Sequence, residues 1–190
     1  MRLRTLSLGL LAAALGGAAR AADLSDFQSL CVATHADSKA ALAAADAAGW
    51  MALPDALLAQ LRRPGMETAE GRLKSDNGGM RFMMAAHDAA LSNIPGAKID
   101  ACAVGLVPGD AGLADQIKAW AAVPEMAAMS KNGMHVYAFT EEGGRHGPVD
   151  MTGPDPMATW KARHGVLVVI QDQPQLTLLI YGVPSPTSPN

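Results

Sequence analysis

The spacing of apolar and polar residues along the chain is helical at first and becomes alternating after the RRPG segment at residues 62–65. The earlier part predicts three short helices. The second is the clearest, because Asp37 or Ser38 supplies an N-cap and Gly49 can adopt the left-handed conformation that ends a helix. We expect Trp50, the next residue, to pack back onto the helix end. An exposed ligand platform is the alternative.

Strands joined by tight turns follow the RRPG segment. The stretches on either side of Asn77-Gly78 alternate in polarity, and this dipeptide favours a two-residue hairpin turn because both residues tolerate positive φ. A helix capped by Asp110 comes later. Further strands are predicted at residues 97–108 and 133–142, with a final hairpin at residues 165–183.

The predicted strands occur in hairpins rather than in strand–helix–strand units, which indicates the α+β class. We expect N-terminal short helices followed by an antiparallel sheet of about five to seven strands, with helices packed on one face. Residues 22–182 are predicted to form a single domain. Residues 183–190 contain three prolines and no apolar periodicity, so we expect a disordered C-terminal tail.

The first 21 residues have the pattern of a secretory signal peptide. Arg2 and Arg4 form a basic start, and an apolar run extends from residue 6 to residue 15. Ala19 and Ala21 are the small residues that a signal peptidase reads, so we expect cleavage after Ala21 and a periplasmic or extracellular protein. A membrane anchor is the weaker alternative, because the run is shorter than the ~20 residues that span a bilayer.

The two cysteines, Cys31 and Cys102, fit an exported protein. An even count in an oxidising compartment predicts a structural disulfide. Two buried free thiols or a redox pair are the alternatives, but the C-x-x-C spacing of redox-active thiols is absent. The disulfide would join the N-terminal helices to a later strand.

The charges of the chain give no sign of a nucleic-acid or anionic-lipid partner. The net charge is −3 at pH 7, and loss of residues 1–21 would remove three arginines and no acidic residue. The remaining charges are scattered, unlike the basic patches of phosphate-binding proteins. We therefore expect a protein or small-molecule partner, no nucleic acid, and no stable membrane anchor after cleavage.

Ser75-Asp76-Asn77 matches a motif of penicillin-recognising serine enzymes. Those enzymes also need S-x-x-K, which supplies the nucleophile, and K-T-G, and this chain has neither. The three residues are also typical of the approach to a hairpin turn. We therefore interpret them as turn residues without a catalytic role.

Ten methionines follow the predicted cleavage site, and thioether and imidazole ligands suit Cu(I). Met80, Met84 and Met134 could converge with His87 or His135 if the two strands that carry these methionines are neighbours. Methionine is also a flexible filler of irregular cores, and aromatic residues are scarce here. We interpret the methionines as core residues.

The five histidines show no spacing typical of a metal or catalytic site. None belongs to an H-E-x-x-H motif, no serine lies in a G-x-S-x-G elbow, and no glycine-rich phosphate loop carries its lysine. The sequence therefore identifies no catalytic, cofactor-binding or metal-binding residue, and we predict no cofactor. The histidines are His35, His87, His135, His146 and His164.

Three hypotheses about function remain. We interpret the chain as an exported, non-catalytic binding or interaction module. One alternative is an extracytoplasmic, hydrolase-like enzyme whose site is assembled only in the fold, and the other is a soft-metal (copper) protein. A cleft with two titratable groups within hydrogen-bond reach, such as His135 or His146 beside a carboxylate, would favour the enzyme.

Overall fold

The computed structural model describes residues 24–62, 64–76, 79–90, 98–149, 156–162 and 164–185. The predicted signal peptide and the Asn77-Gly78 turn lie outside these ranges. Within them, the helices are α1 (Gln28–Val32, wound as a π-helix), α2 (Ser38–Ala47), α3 (Asp55–Leu61), α4 (Leu113–Ala121) and α5 (Pro156–Ala162). The strands are β1 (Met51–Ala52), β2 (Glu70–Asp76), β3 (Gly79–Ala90), β4 (Lys98–Val107), β5 (Met134–Glu142), β6 (Arg145–Pro148), β7 (Gly165–Gln173) and β8 (Leu176–Pro184).

The strands form one antiparallel sheet in the order β1-β2-β3-β4-β8-β7-β5-β6. The α+β class and the antiparallel sheet are confirmed. The expected five to seven strands are too few, because the described residues form eight. The unpredicted strands are the edge strands β1 and β6, of two and four residues. Segments this short carry no readable alternation, and short edges limit pairing with other chains.

Helices lie on both faces of the sheet, so the expectation that they cover one face is wrong. Phe27, which precedes α1, packs on the first face together with residues of α2 and α4. Leu58 of α3 and Trp160 of α5 belong to a second buried cluster. Met83 and Met84 alternate between the two clusters, as the pleat of a strand requires. Both faces need cover because the central strands β7 and β8 are apolar on both sides.

The disulfide Cys31–Cys102 is confirmed. It joins α1 to the middle of β4, with the two Cα atoms 5.2 Å apart. Both cysteines are completely buried in the core of the first face. The cross-link therefore holds the N-terminal helical layer against the sheet.

The predicted ends of the second helix are also confirmed. Asp37 is the N-cap of α2, and its carboxylate accepts a 2.7 Å hydrogen bond from the Ala40 N–H. Gly49 follows the helix with a φ of 77°. Trp50 is 4% exposed and packs in the core, which excludes the alternative of an exposed ligand platform.

The ordered chain extends further than the predicted domain boundary at residue 182. β8 continues to Pro184, which pairs with Ile99 of β4. Ser185 is 6% exposed, and its N–H donates to the Lys98 carbonyl over 3.1 Å. The predicted start of the tail at residue 183 is therefore too early, because pairing with β4 holds this segment. Residues 186–190 lie outside the described residues.

Tyr181 has a buried hydroxyl with no hydrogen-bond partner among the described residues. Burial, together with the Glu141 charge, holds the pKa of this hydroxyl well above its usual value. The folded state therefore keeps the proton at a pH where the unfolded chain loses it. Ionisation of this hydroxyl therefore leaves the free energy of unfolding unchanged below about pH 10. Above that pH it lowers the free energy of unfolding by up to ~1.4 kcal/mol per pH unit.

Tyr181→Phe is expected to raise the free energy of unfolding by about 1 kcal/mol at pH 7, because it removes an unsatisfied buried hydroxyl. It should also reduce the loss of stability on the alkaline side. Urea denaturation at pH 7 and at about pH 10.5 measures both effects. Tyr137 keeps its own raised pKa in the variant, so part of the alkaline loss should remain. A variant less stable than the wild type at pH 7 would contradict the prediction.

Candidate functional site

One end of the sheet collects polar side chains. We call it the histidine end: it is formed by the last residues of β3, β5 and β8 and the first residues of β4 and β7. The strand register places them together, since Asp100 pairs with Val183 and Thr140 with Gly165. Four of the five histidines lie at this end, although the sequence separates them widely. They are His35, His87, His146 and His164.

A cleft of about 420 Å³ opens at the histidine end. Among the residues that the structure describes, four titratable side chains line it, and each comes from a different part of the fold. His35 lies in the turn between α1 and α2, Glu141 near the end of β5, and Lys161 in the last turn of α5. His164 immediately precedes β7. His35 and His164 both have left-handed backbones, with φ of 49° and 51°, an uncommon conformation for residues other than glycine.

The rest of the described lining of the cleft is mainly apolar. Val166, Val183 and Pro184 belong to this lining, together with the buried hydroxyl-bearing residue Ser185. Gly165 is also part of the lining, and a Cβ at this position would overlap the indole ring of the buried Trp160. The missing side chain thus lets the tryptophan pack at the start of β7, and Lys161 and His164 lie between these two contacting residues in the sequence.

A β-bulge beside the cleft holds a second polar group. The register of β3 against β4 shifts between Ala86 and Ala89, so that His87 and Asp88 both lie near Asp100. Asp100 Oδ1 accepts hydrogen bonds from His87 Nδ1 (2.7 Å), from the Asp88 N–H (3.2 Å) and from the Ser185 hydroxyl (2.7 Å). Ser185 therefore connects the bulge to the cleft.

The directions of these hydrogen bonds limit the chemistry of the group. Because a carboxylate only accepts, His87 carries its proton on Nδ1 and leaves Nε2 as the basic nitrogen. A serine nucleophile must donate to an imidazole, but the Ser185 hydroxyl donates to Asp100. His87 is 53% exposed. The His87–Asp100 pair could activate a water molecule, but it does not activate Ser185.

The same group has the residue types of a metal site. Among the described residues, His87, Asp88 and Asp100 bring their ligand atoms within 4.8 Å of one another. One nitrogen and two carboxylates could hold a divalent cation. The Lys98 ammonium, however, lies 3.8 Å from the Asp88 carboxylate and opposes a cation there. We therefore assign no metal to this group.

The structure does not bring together the methionines considered as copper ligands. Met80 and Met84 lie on β3 and Met134 lies on β5, and β4, β8 and β7 separate these strands. At ~4.8 Å per strand the separation is about 19 Å. His87 lies at the opposite end of β3 from Met80. The condition that the two strands are neighbours is thus not met.

Two other sequence candidates lie at the opposite end of the sheet from the cleft. Ser75 pairs with Met80 in the β2–β3 hairpin, as expected for a residue that approaches a turn. His135 Nδ1 is 3.1 Å from Glu125 Oε1. Hydrogen bonds from Ser130 and then from His135 lower the pKa of Glu125. His135 is thus beside a carboxylate, but outside the cleft.

His146 lies at the histidine end but points into an aromatic cluster. Its ring stacks on Phe139 with centroids 4.2 Å apart, and Trp120 lies 4.9 Å away in an edge-on arrangement. Nδ1 donates to the Ala121 carbonyl over 3.1 Å. These contacts explain His146 as a packing residue that secures α4 to the edge of the sheet.

Comparisons with known proteins gave no match. No protein-family model fits the chain, and no curated protein and no solved structure is significantly similar to it. We therefore infer the function from the residues themselves. Within the described ranges, no helix has the length and apolar character needed to cross a membrane.

Sequence reasoning identified none of the cleft residues as a site. The charged and imidazole side chains of the cleft come from four separate segments, and all four residues are exposed. Each one alone is indistinguishable from an ordinary surface residue. Only the pairing of β8 between β4 and β7 brings these segments together.

Proposed function

We propose that the protein is an exported, non-catalytic binding module that holds a small molecule in the cleft at the histidine end. The observation that carries this proposal is the composition of the cleft. A lining of apolar residues with a few charged and hydrogen-bonding groups, as in this cleft, is the usual construction of a small-molecule site. Its volume is also within the usual range of about 300–1,000 Å³ for such sites.

Export is supported by the buried disulfide, which is typical of proteins from oxidising compartments. The signal-like pattern at residues 1–21 agrees with it. We expect the full chain, expressed in a bacterial host, to be recovered from the periplasm or the medium with Ala22 as its first residue. Intact-mass measurement shows the cleavage and the loss of the two thiol hydrogen atoms together. An uncleaved cytoplasmic protein would contradict this part of the proposal.

Binding is tested by NMR titration of the ¹⁵N-labelled, disulfide-intact protein with a fragment library of anions, cations, zwitterions and neutral compounds. We expect hits whose shifts centre on the amides of His164, Val166 and Ser185. Lys161→Glu should change which fragments bind, whereas Lys131→Glu, an exposed lysine outside the cleft, should not. A library without hits at these amides would contradict the proposal.

A hydrolase remains the second candidate, because the His87–Asp100 pair lies beside the cleft. The same protein is therefore incubated with ester, amide and phosphate-ester substrates. If the protein is a binding module, any turnover that is observed should persist in the His87→Gln variant. Turnover that requires His87 would replace the binding module by an enzyme.

A further inference from the structure

We propose that residues 125–131 form an acid-sensitive cap on the edge of β5, which the charge of Glu125 holds closed. We call this segment the edge cap. It lies at the opposite end of the sheet from the cleft, so its role is independent of the proposed ligand. Opening of the edge cap would make the edge of the sheet accessible to another strand.

The first half of β5 is paired with a strand on one side only. β7 pairs with β5 from Met134 to Thr140, whereas the short strand β6 pairs only with the residues from Phe139 to Glu142. The first residues of β5 therefore have outward backbone groups that β6 does not reach. Backbone N–H and C=O groups at such an edge are the ones to which a further strand can bind.

The edge cap covers this half of β5 with a loop instead of a strand. The Met126 N–H donates to the Val136 carbonyl over 2.8 Å, and the Val136 N–H donates to the Ser130 hydroxyl oxygen over 3.1 Å. Met126 and Met129 also pack against the core of the second face. The edge cap thus satisfies both outward backbone groups of Val136, and one of the two hydrogen bonds depends on a side chain.

Glu125 holds that side chain in place. Its carboxylate accepts a hydrogen bond from the Ser130 hydroxyl, whose oxygen remains free to accept from the Val136 N–H. His135 Nδ1 donates to the same carboxylate over 3.1 Å. Hydrogen bonds to a charged acceptor are roughly twice as strong as those between neutral groups. Loss of the Glu125 charge should therefore release Ser130, and with it the bond to Val136.

The surroundings of Glu125 set the pH range in which the edge cap is closed. The hydrogen bond from Ser130 lowers the pKa of Glu125 most, and the hydrogen bond and charge of His135 and the charge of Lys118 on α4 act in the same direction against partial burial. The folded state therefore favours the charged carboxylate. This stabilisation is complete above about pH 4.5 and is lost as the pH falls below it.

The other titratable groups near Glu125 do not open the edge cap in acid. Burial, followed by the charges of Glu125 and of Asp115 on α4, raises the pKa of the Tyr137 hydroxyl, which therefore stays neutral at acidic pH. A protonated His135 is attracted to the carboxylate and strengthens the contact. The response to acid is therefore expected to come from Glu125.

The test measures amide hydrogen exchange of the disulfide-intact protein by NMR. The Val136 amide reports on the edge cap, because its N–H is bonded to Ser130. The Tyr137 amide reports on the sheet, because successive N–H groups of a strand point to opposite sides and this one faces β7. At pH 7, Glu125→Gln should lower the protection of Val136 at least about tenfold and change that of Tyr137 less than about threefold. Glu142→Gln, an exposed glutamate at the end of β5, should change neither.

Acid should have the same effect on the wild type as the substitution. Between pH 7 and about pH 3.5, the protection of the wild-type Val136 amide, corrected for the intrinsic exchange rate, should fall at least about tenfold. In Glu125→Gln it should fall less than about threefold, whereas Glu142→Gln should keep the wild-type pH dependence. Ser130→Ala removes no titratable group, yet it should lower the Val136 protection at pH 7 and abolish its pH dependence.

Three results would overturn the proposal. Unchanged Val136 protection in Glu125→Gln would show that the carboxylate does not hold the edge cap. Equal losses at Val136 and Tyr137 would show that Glu125 supports the whole strand. A wild-type Val136 amide that is equally protected at both pH values would show that acid does not open the edge cap. This last measurement and Ser130→Ala decide the question even if Glu125→Gln does not fold.

Discussion

Replacement of both Cys31 and Cys102 by alanine is expected to lower the free energy of unfolding by about 4 kcal/mol. The two cysteines are 71 positions apart, so the bond greatly restricts the unfolded chain. The alanines also leave space where both sulfurs are completely buried, between α1 and β4. Urea denaturation followed by tryptophan fluorescence measures the change. A loss below about 1 kcal/mol would contradict the prediction.

A loss of this size is a large part of the 5–15 kcal/mol that stabilises a typical domain, so the variant needs a control that distinguishes the lost cross-link from lost packing. Wild-type protein kept reduced by a phosphine supplies it, because its sulfur atoms stay in place. If the reduced protein lies within about 1 kcal/mol of the double alanine variant, the cross-link itself is responsible. A reduced protein as stable as the oxidised one would instead assign the effect to packing.

The features that could be predicted from the sequence are those that depend on a few neighbouring residues. The cap at Asp37 and the helix end at Gly49 follow from the preferences of single residues. The pairing of β2 with β3 follows from the alternation of polar and apolar residues, and it extends to Asp76 and Gly79. The disulfide was predictable because two cysteines allow one pairing.

Strand order could not be predicted, because it depends on contacts between distant segments. β8 pairs with β4, although β5, β6 and β7 lie between them in the sequence. This pairing separates Met84 from Met134 and leaves the proposed copper ligands apart. It also brings Ser185 to Asp100 across 85 positions. No local pattern encodes either consequence, so the candidate site could not be predicted from the sequence.

The second large effect is expected at Gly165, where the fold and the cleft depend on the same contact. Gly165→Ala should lower the free energy of unfolding by about 3 kcal/mol. The new methyl group would overlap the ring of Trp160, which is 1% exposed and fixed in the second core. Either the ring leaves its site or β7 shifts. Lys161 follows Trp160 in the sequence and His164 precedes Gly165. Because both line the cleft, fragment binding at the cleft should be lost as well.

Two further variants test the steric origin of this effect. Gly147→Ala is the matched control, since a Cβ there comes no closer than 3.4 Å to Thr140 Oγ1, and it should cost less than about 0.5 kcal/mol. Trp160→Ala removes the ring that the new methyl group would strike. In that background Gly165→Ala should add less than about 1 kcal/mol, so the two costs should be strongly non-additive. Costs that simply add would show that Gly165 is required for a reason other than room for the tryptophan.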